Sequence, residues 1–185
     1  MAIKNKYEIK GNIVEIFLEL KDESIVKAII DKTDLNKVQE FGGRWCAAVN
    51  KKRRLGRLVP TGSFYVIESW SGHKTVSLHR WLMDCPDGLV VDHINHNTLD
   101  NTRANMRNVD KFVNAQNTRV STANSSGYKG VAKCGNRWTA SIRVNGEYTY
   151  LGAFGDPYEA GRVARDARAK FMPGYIEEFY EMPSV

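Results

Sequence analysis

Residues 91–109 read VDHINHNTLDNTRANMRNV and gather two histidines, two aspartates and five asparagines (95, 97, 101, 105 and 108) into nineteen positions. Asparagine and aspartate side chains hydrogen-bond the nearby backbone and favour turns, which taken alone describes a long surface loop. The flanks add order to it. PDGLVVDHIN reads as a turn at Pro86 to Gly88 followed by a strand ending on Asp92 and His93, NMRNV as a second short strand, and DKFVNAQN as a helix capped by Asp110. The local order is strand, long polar loop, strand, helix.

Adjacent strand residues point to opposite faces, so Asp92 and His93 can share a task only if the chain wraps round and returns a third group to one of them. The helix after NMRNV does so. Hydrolysis of a phosphodiester needs an activated water, a cation to neutralise charge developing on phosphate and leaving oxygen, and a fixed geometry between them. A carboxylate, an imidazole and an amide oxygen form a minimal set for that work, because Mg²⁺ or Mn²⁺ takes oxygen ligands and keeps its other positions for water and phosphate. Asp92 and a helix amide are suited to hold the metal, and His93, titrating near neutrality, to take the proton from water.

LVVDHINHNTLDNTRANMRNVDKFVNAQN, residues 89–117, resembles the ββα-metal motif of HNH homing endonucleases, in the branch that ends on asparagine where others carry the last histidine. VSLHRWLM upstream also matches that family's pattern. The resemblance implies Asp92 and Asn114 as ligands of one divalent cation and His93 as general base. Asn105 corresponds to the central asparagine, which in the family ties the loop backbone together and orients the histidine. Asn117, one helical turn after Asn114, is the alternative ligand. His96 sits where the pattern often has glycine and is read as a loop residue, and His79 as part of the scaffold.

Outward from this motif, residues 7–80 read as mostly β scaffold. In IVEIFLEL, Val14, Ile16, Leu18 and Leu20 share one face at the period of a half-buried strand. SIVKAIID, RWCAAVN and SFYVIESW suggest further strands, the last closing in a Ser-Gly turn. DKTDLNKVQEFGG suggests a short helix with Thr33 as N-cap and Gly42 past its end. Between two of these strands the run NKKRRLGR, at a hairpin tip, offers Lys51, Lys52, Arg53 and Arg54 as secondary contacts to DNA phosphate.

Composition bounds the possibilities. The 185 residues, 42% hydrophobic and 26% charged, make a globular mixture, and a formal net charge of +6 favours a polyanionic partner. No run approaches the roughly eighteen apolar residues of a membrane span, and MAIKNKYEIK is not a signal-peptide core. Cys46, Cys85 and Cys134 lie far apart and form no C-x-x-C pair, which indicates neither a disulfide framework nor a thiolate zinc site.

VSTANSSG, residues 120–127, has linker composition. Beyond it, YKGVAKCGNRWTASIRVNGEYTYLGAF gives three strands, two joined by the hairpin signal Asn145-Gly146. A helix follows with Asp156 as N-cap and Pro157 first; Ala160, Val163, Ala164, Ala167 and Phe171 recur at helical spacing. Trp138, Ala140 and Ile142 are expected to face that helix, leaving Arg137, Thr139, Ser141 and Arg143 outward with Tyr148 and Tyr150. The segment 126–172 has eight Lys/Arg against four Asp/Glu. GYKGVAKCGNRWTASIRVNGEYTYLGAFGDPYEAGRVARDARAKF resembles the AP2 domain of plant transcription factors, also an appendage of phage HNH endonucleases. Positions that in the family commonly hold base-contacting arginines carry Ala132 and Cys134 here. Lys129, Arg137, Arg143, Tyr148 and Tyr150 remain as DNA contacts.

The expectation is an α+β chain in three parts. Residues 1–118 form a β-rich scaffold with an HNH nuclease motif at about 86–118, residues 119–127 a linker, and residues 128–185 an AP2-like DNA-binding domain with a C-terminal tail. The implied activity is site-specific, homing-type cleavage of double-stranded DNA with Mg²⁺ or Mn²⁺, by a monomer or homodimer, with no small-molecule cofactor and no membrane. The expected compartment is the cytoplasm of a bacterial host, for a phage-encoded protein. Two rivals stand beside it: a non-enzymatic AP2-type regulator whose HNH part is inert, and an interaction module that meets no DNA.

Overall fold

A computed structural model describes residues 4–20, 23–41, 44–54, 57–69, 75–121 and 123–176, with backbone alone for 48–54, 57–69 and 75. The chain divides into two compact units, Met1–Val109 and Asp110–Val185. The division falls ahead of the Ser/Thr/Asn run expected as the linker. Among the described residues no helix is long and apolar enough to cross a membrane.

The first unit opens with strands β1 (Tyr7–Lys10), β2 (Ile13–Glu19) and β3 (Ile25–Asp31), paired antiparallel in sequence order. The alternation in β2 is the expected one: Val14, Ile16 and Leu18 are fully buried. A 3-10 turn at Lys32–Asp34 leads into helix α1 (Leu35–Glu40), so the helix begins later than expected and Thr33 is not its cap. Asp34 holds the N-cap position without capping, because its carboxylate is engaged by Arg103. Gly42 and the Ser71-Gly72 turn lie outside the described residues.

Strands β4 (Cys46–Arg54) and β5 (Arg57–Ser69) pair antiparallel, with Arg54 opposite Arg57 at the tip, and β6 (Thr75–Ser77) extends that sheet. The basic run therefore lies at a hairpin end; the side chains of Lys51, Lys52, Arg53 and Arg54 lie outside the described residues. Helix α2 (Leu78–Leu82) follows, then β7 (Val90–His93), β8 (Asp100–Asn101) and β9 (Met106–Val109). β7 and β9 form an antiparallel hairpin, while β8 joins the first sheet by pairing parallel with β3. Among the described residues, Leu78 and Leu82 of α2 and Met106 of β9 are buried in one core with Val14, Ile16, Leu18, Ile30, Val38 and Trp45.

The second unit begins with helix α3 (Lys111–Gln116), where the Asp110 carboxylate accepts from the amides of Phe112 and Val113, the expected cap. Strands β10 (Val131–Cys134), β11 (Arg137–Val144) and β12 (Glu147–Phe154) make a three-stranded antiparallel sheet packed on helix α4 (Pro157–Phe171). Asn145 and Gly146 both take positive φ, as a two-residue hairpin turn matched to strand twist requires. Asp156 caps α4 by accepting from Glu159 N at 3.0 Å.

The α4 face against the sheet is small-residue, with Ala160, Gly161 and Ala164 buried. A β-carbon at Gly161 would lie 2.5 Å from the Tyr128 ring, so glycine is what lets the helix approach. Phe171, expected on the buried face, is exposed, and Arg168 is buried instead. Its guanidinium donates to the Lys129 carbonyl and lies over the Tyr175 ring, which gives the charge partners without water.

Candidate functional site

The asparagine-rich loop of the first unit is held by its own side chains. Asn105 Oδ1 accepts from Asn95 N at 2.9 Å and Asn105 Nδ2 donates to Asp100 O at 2.8 Å, so one buried amide spans the loop. Asn95 Oδ1 accepts from Asn97 N, Asn97 Oδ1 from Leu99 N, and Asp100 Oδ1 from Thr102 N. These are Asx-type turns in series. Asn95 Nδ2 closes the ring by donating to Asp100 Oδ2 at 2.9 Å. His96 sits at φ +60°, a left-handed position that disfavours a β-carbon and that explains why glycine suits this place.

The loop is also tied to the scaffold. Leu99 O accepts from Ile29 N at 2.8 Å, and Asp31 Oδ2 accepts from Arg103 N at 2.7 Å. The Arg103 guanidinium grips both oxygens of buried Asp34, a charge-assisted fork of fixed geometry. These bonds hold the residues between the hairpin strands against the N-terminal sheet.

At the end of β7, Asp92 is 4% and His93 6% exposed. Hairpin register sets Arg107 opposite Asp92, and the guanidinium donates twice to Asp92 Oδ2, at 2.9 and 2.8 Å. His93 Nε2 lies 3.2 Å from Asn101 Oδ1, and its ring packs edge-on against His79 of α2 with centroids 5.4 Å apart. Burial holds the His93 pKa below the usual histidine value, opposed by the Asn101 hydrogen bond and the Asp92 and Asp100 charges. His79 is pushed to about 4, by burial first and then by the charges of His93 and Arg80. Burial thus favours the neutral form of both rings.

Asn114 and Asn117 belong to the second unit: Asn114 is half-buried on α3, and Asn117, at its C-cap, is buried. The end of α3 is held by Lys129, whose ammonium donates to Gln116 O at 2.9 Å and to Thr118 O and Oγ1. Gln116 Oε1 in turn accepts from Gly174 N at 2.8 Å. Lys129, expected as a DNA contact, thus binds backbone, and burial lowers its pKa to about 8, helped by the nearby Arg168 charge. The Ser/Thr/Asn run is a hydrogen-bonded turn where described: Asn124 Oδ1 accepts from Ser126 N and Gly127 N, and Asn124 Nδ2 donates to Tyr128 O.

On the outer sheet face, Arg143 pairs across strands with Tyr148 and Ser141 with Tyr150; Tyr148 is 63% and Tyr150 56% exposed. Arg137 donates to Ala153 O across the same face. Arg143 and Tyr148 also border a groove of about 620 Å³ that reaches Phe112 of α3.

Asn101, Arg107 and the Asp34–Arg103 pair escape sequence reading. Arg107 had a usable signal, since antiparallel pairing of VVDH with MRNV sets it opposite Asp92. A scan of protein families, a search of curated proteins and a search of solved structures found no match to this chain.

Proposed function

We propose that this protein is a divalent-metal-dependent DNA endonuclease of the HNH type whose AP2-like segment binds the duplex. The observation that carries the reading is the end of β7, where a buried carboxylate, Asp92, and a buried imidazole, His93, are consecutive residues and the loop that follows them is braced by Asn105. Burial favours the neutral form of His93, the form that a general base needs. The donor chemistry fits a hard cation: the Asp92 carboxylate with a carboxamide, Asn114 by the resemblance, are oxygen ligands of the kind Mg²⁺ or Mn²⁺ takes. When bound, the cation supplies charge neutralisation at the scissile phosphate and leaving oxygen. Within the chain, Asn105 fixes the loop, Arg107 fixes the Asp92 carboxylate, and His93 takes the proton from water. Arg143, Tyr148 and Tyr150 give the AP2-like sheet an exposed cationic and aromatic face suited to phosphate and base edges.

One observation favours the non-enzymatic rival. Asp92 Oδ2 already carries both Arg107 hydrogen bonds, so a cation must share the carboxylate with a guanidinium. Incubating the full chain with supercoiled plasmid and Mg²⁺ or Mn²⁺, with and without chelator, separates the readings on one gel. Chelator-sensitive nicked or linear product supports the nuclease. Retarded but uncut plasmid supports the regulator.

A further inference from the structure

We infer that Asn101 is a positioning residue that fixes the tautomer of His93, placing the ring proton on Nε2 and the lone pair on Nδ1. The inference rests on the nuclease reading for its purpose, not for its geometry. Leu99 O, a carbonyl that can only accept, lies 3.1 Å from the Asn101 amide and already takes the Ile29 N–H. The group facing it must therefore be Nδ2, since the flipped amide would set oxygen against oxygen. With Nδ2 so assigned, Oδ1 faces His93 Nε2 at 3.2 Å and can only accept. Nε2 must then be the donor, and in a neutral imidazole the other nitrogen keeps its lone pair.

Asn101 cannot turn away from this duty. It is 1% exposed and its backbone pairs with Ile30 of β3, so the N-terminal sheet that donates Ile29 N–H to Leu99 also sets the amide's position. The strand is thus joined to the imidazole by three hydrogen bonds in line: Ile29 N–H to Leu99 O, Asn101 Nδ2–H to the same oxygen, and His93 Nε2–H to Asn101 Oδ1. His79 packs T-shaped against the same ring, with centroids 5.4 Å apart, and restricts its rotation. In the proposed reaction this tautomer makes Nδ1 the atom that takes the proton from water.

The test is ¹⁵N NMR of the intact, histidine-labelled protein at pH 7.5 without DNA or metal. His93 should show a protonated, pyrrole-type Nε2 with a slowly exchanging proton and a pyridine-type Nδ1. A protonated Nδ1 in the neutral ring overturns the inference. In Asn101→Leu, of similar volume but without the acceptor, the Nε2 proton should exchange rapidly. Plasmid cleavage should fall by about 10- to 100-fold in kcat, the range for lost orienting partners, with KM for the duplex unchanged. An unaltered Nε2 proton in a folded Asn101→Leu protein also overturns it; should that variant fail to fold, the wild-type spectrum decides. Absence of cleavage by wild type would sink the nuclease reading alone, because the tautomer is read without it.

Discussion

The hairpin of the first unit and the sheet of the second use polar side chains in opposite ways. Between β7 and β9, asparagine and aspartate are turned on their own backbone, and few regular ladder bonds are made there. Between β10 and β12 the ladder satisfies the backbone, an alanine-faced helix closes one side, and Arg143, Tyr148 and Tyr150 are left outward. A region that consumes its polar groups internally can hold two buried side chains such as Asp92 and His93 still. A region whose backbone needs no such help can offer its side chains to a partner. On the proposed reading the first serves chemistry and the second binding, and each substitution below should disturb one without the other.

The largest separation is expected at His93. His93→Ala should lower cleavage by about 10² to 10⁴, the range for a lost general base, while affinity for duplex DNA stays that of the wild type. Rates from plasmid assays and affinities from fluorescence anisotropy measure the two halves. A fall in affinity as large as the fall in rate would merge the roles that the two regions are assigned.

Acid should find the same division through stability. His79 has a folded-state pKa of about 4, below the 6.5 expected when unfolded, so between these values the unfolded chain holds more protons. Stability is then fully present above about pH 6.5 and declines toward pH 4, by about 2 to 3 kcal/mol, with His93 acting in the same direction. In the second unit Lys129 is the group with a large depression, to about 8, and it produces no slope below that pH because it is protonated in both states. Urea unfolding followed by Trp45 and by Trp138 should show acid weakening the first unit. His79→Leu should flatten the profile, and parallel profiles for the two proteins would refute a buried neutral imidazole.

Much of this division was legible in the residues. The alternation of Val14, Ile16 and Leu18, the Asp110 and Asp156 caps and the Asn145-Gly146 turn are local signals read over a few positions, and the structure has each of them. Long-range pairings were not legible. Nothing near Asp34 in sequence announces Arg103, and the β8 pairing that seats Asn101 depends on Ile30 of β3, far away in the chain. The buried face of α4 also misled, because helical spacing counts Phe171 as inward and cannot foresee that Arg168 finds a carbonyl and a ring to cover it.

A smaller effect is expected on the binding side. Arg143→Ala should leave the unfolding curve unchanged, since the side chain is exposed, and should weaken DNA binding. A lost phosphate contact would reduce the salt slope by about one and affect all sequences alike, whereas a lost base contact would cost about 1 to 3 kcal/mol on the preferred site. Affinities for random and preferred duplex across salt concentrations distinguish the two. Point substitution is the better probe than truncation at Val120, because removing Lys129 and Gly174 would also release the end of α3.

The smallest effect should come from His96, and it tests whether the loop's second histidine belongs to the bracing or to the chemistry. Its φ of +60° costs a residue with a β-carbon about 1 kcal/mol, whereas glycine there loses about 0.5 to 1 kcal/mol more entropy on folding. The two terms nearly cancel, so His96→Gly and His96→Ala, which both lose the imidazole's contacts, should differ in stability by less than about 1 kcal/mol. Both variants lack the ring and differ only in backbone preference. If His96 is a bracing residue, both variants should cleave DNA like the wild type under conditions where they are folded. If the imidazole touches substrate, both should lose activity together whatever their stability, and the loop would hold a second reactive histidine that its asparagines also serve to place.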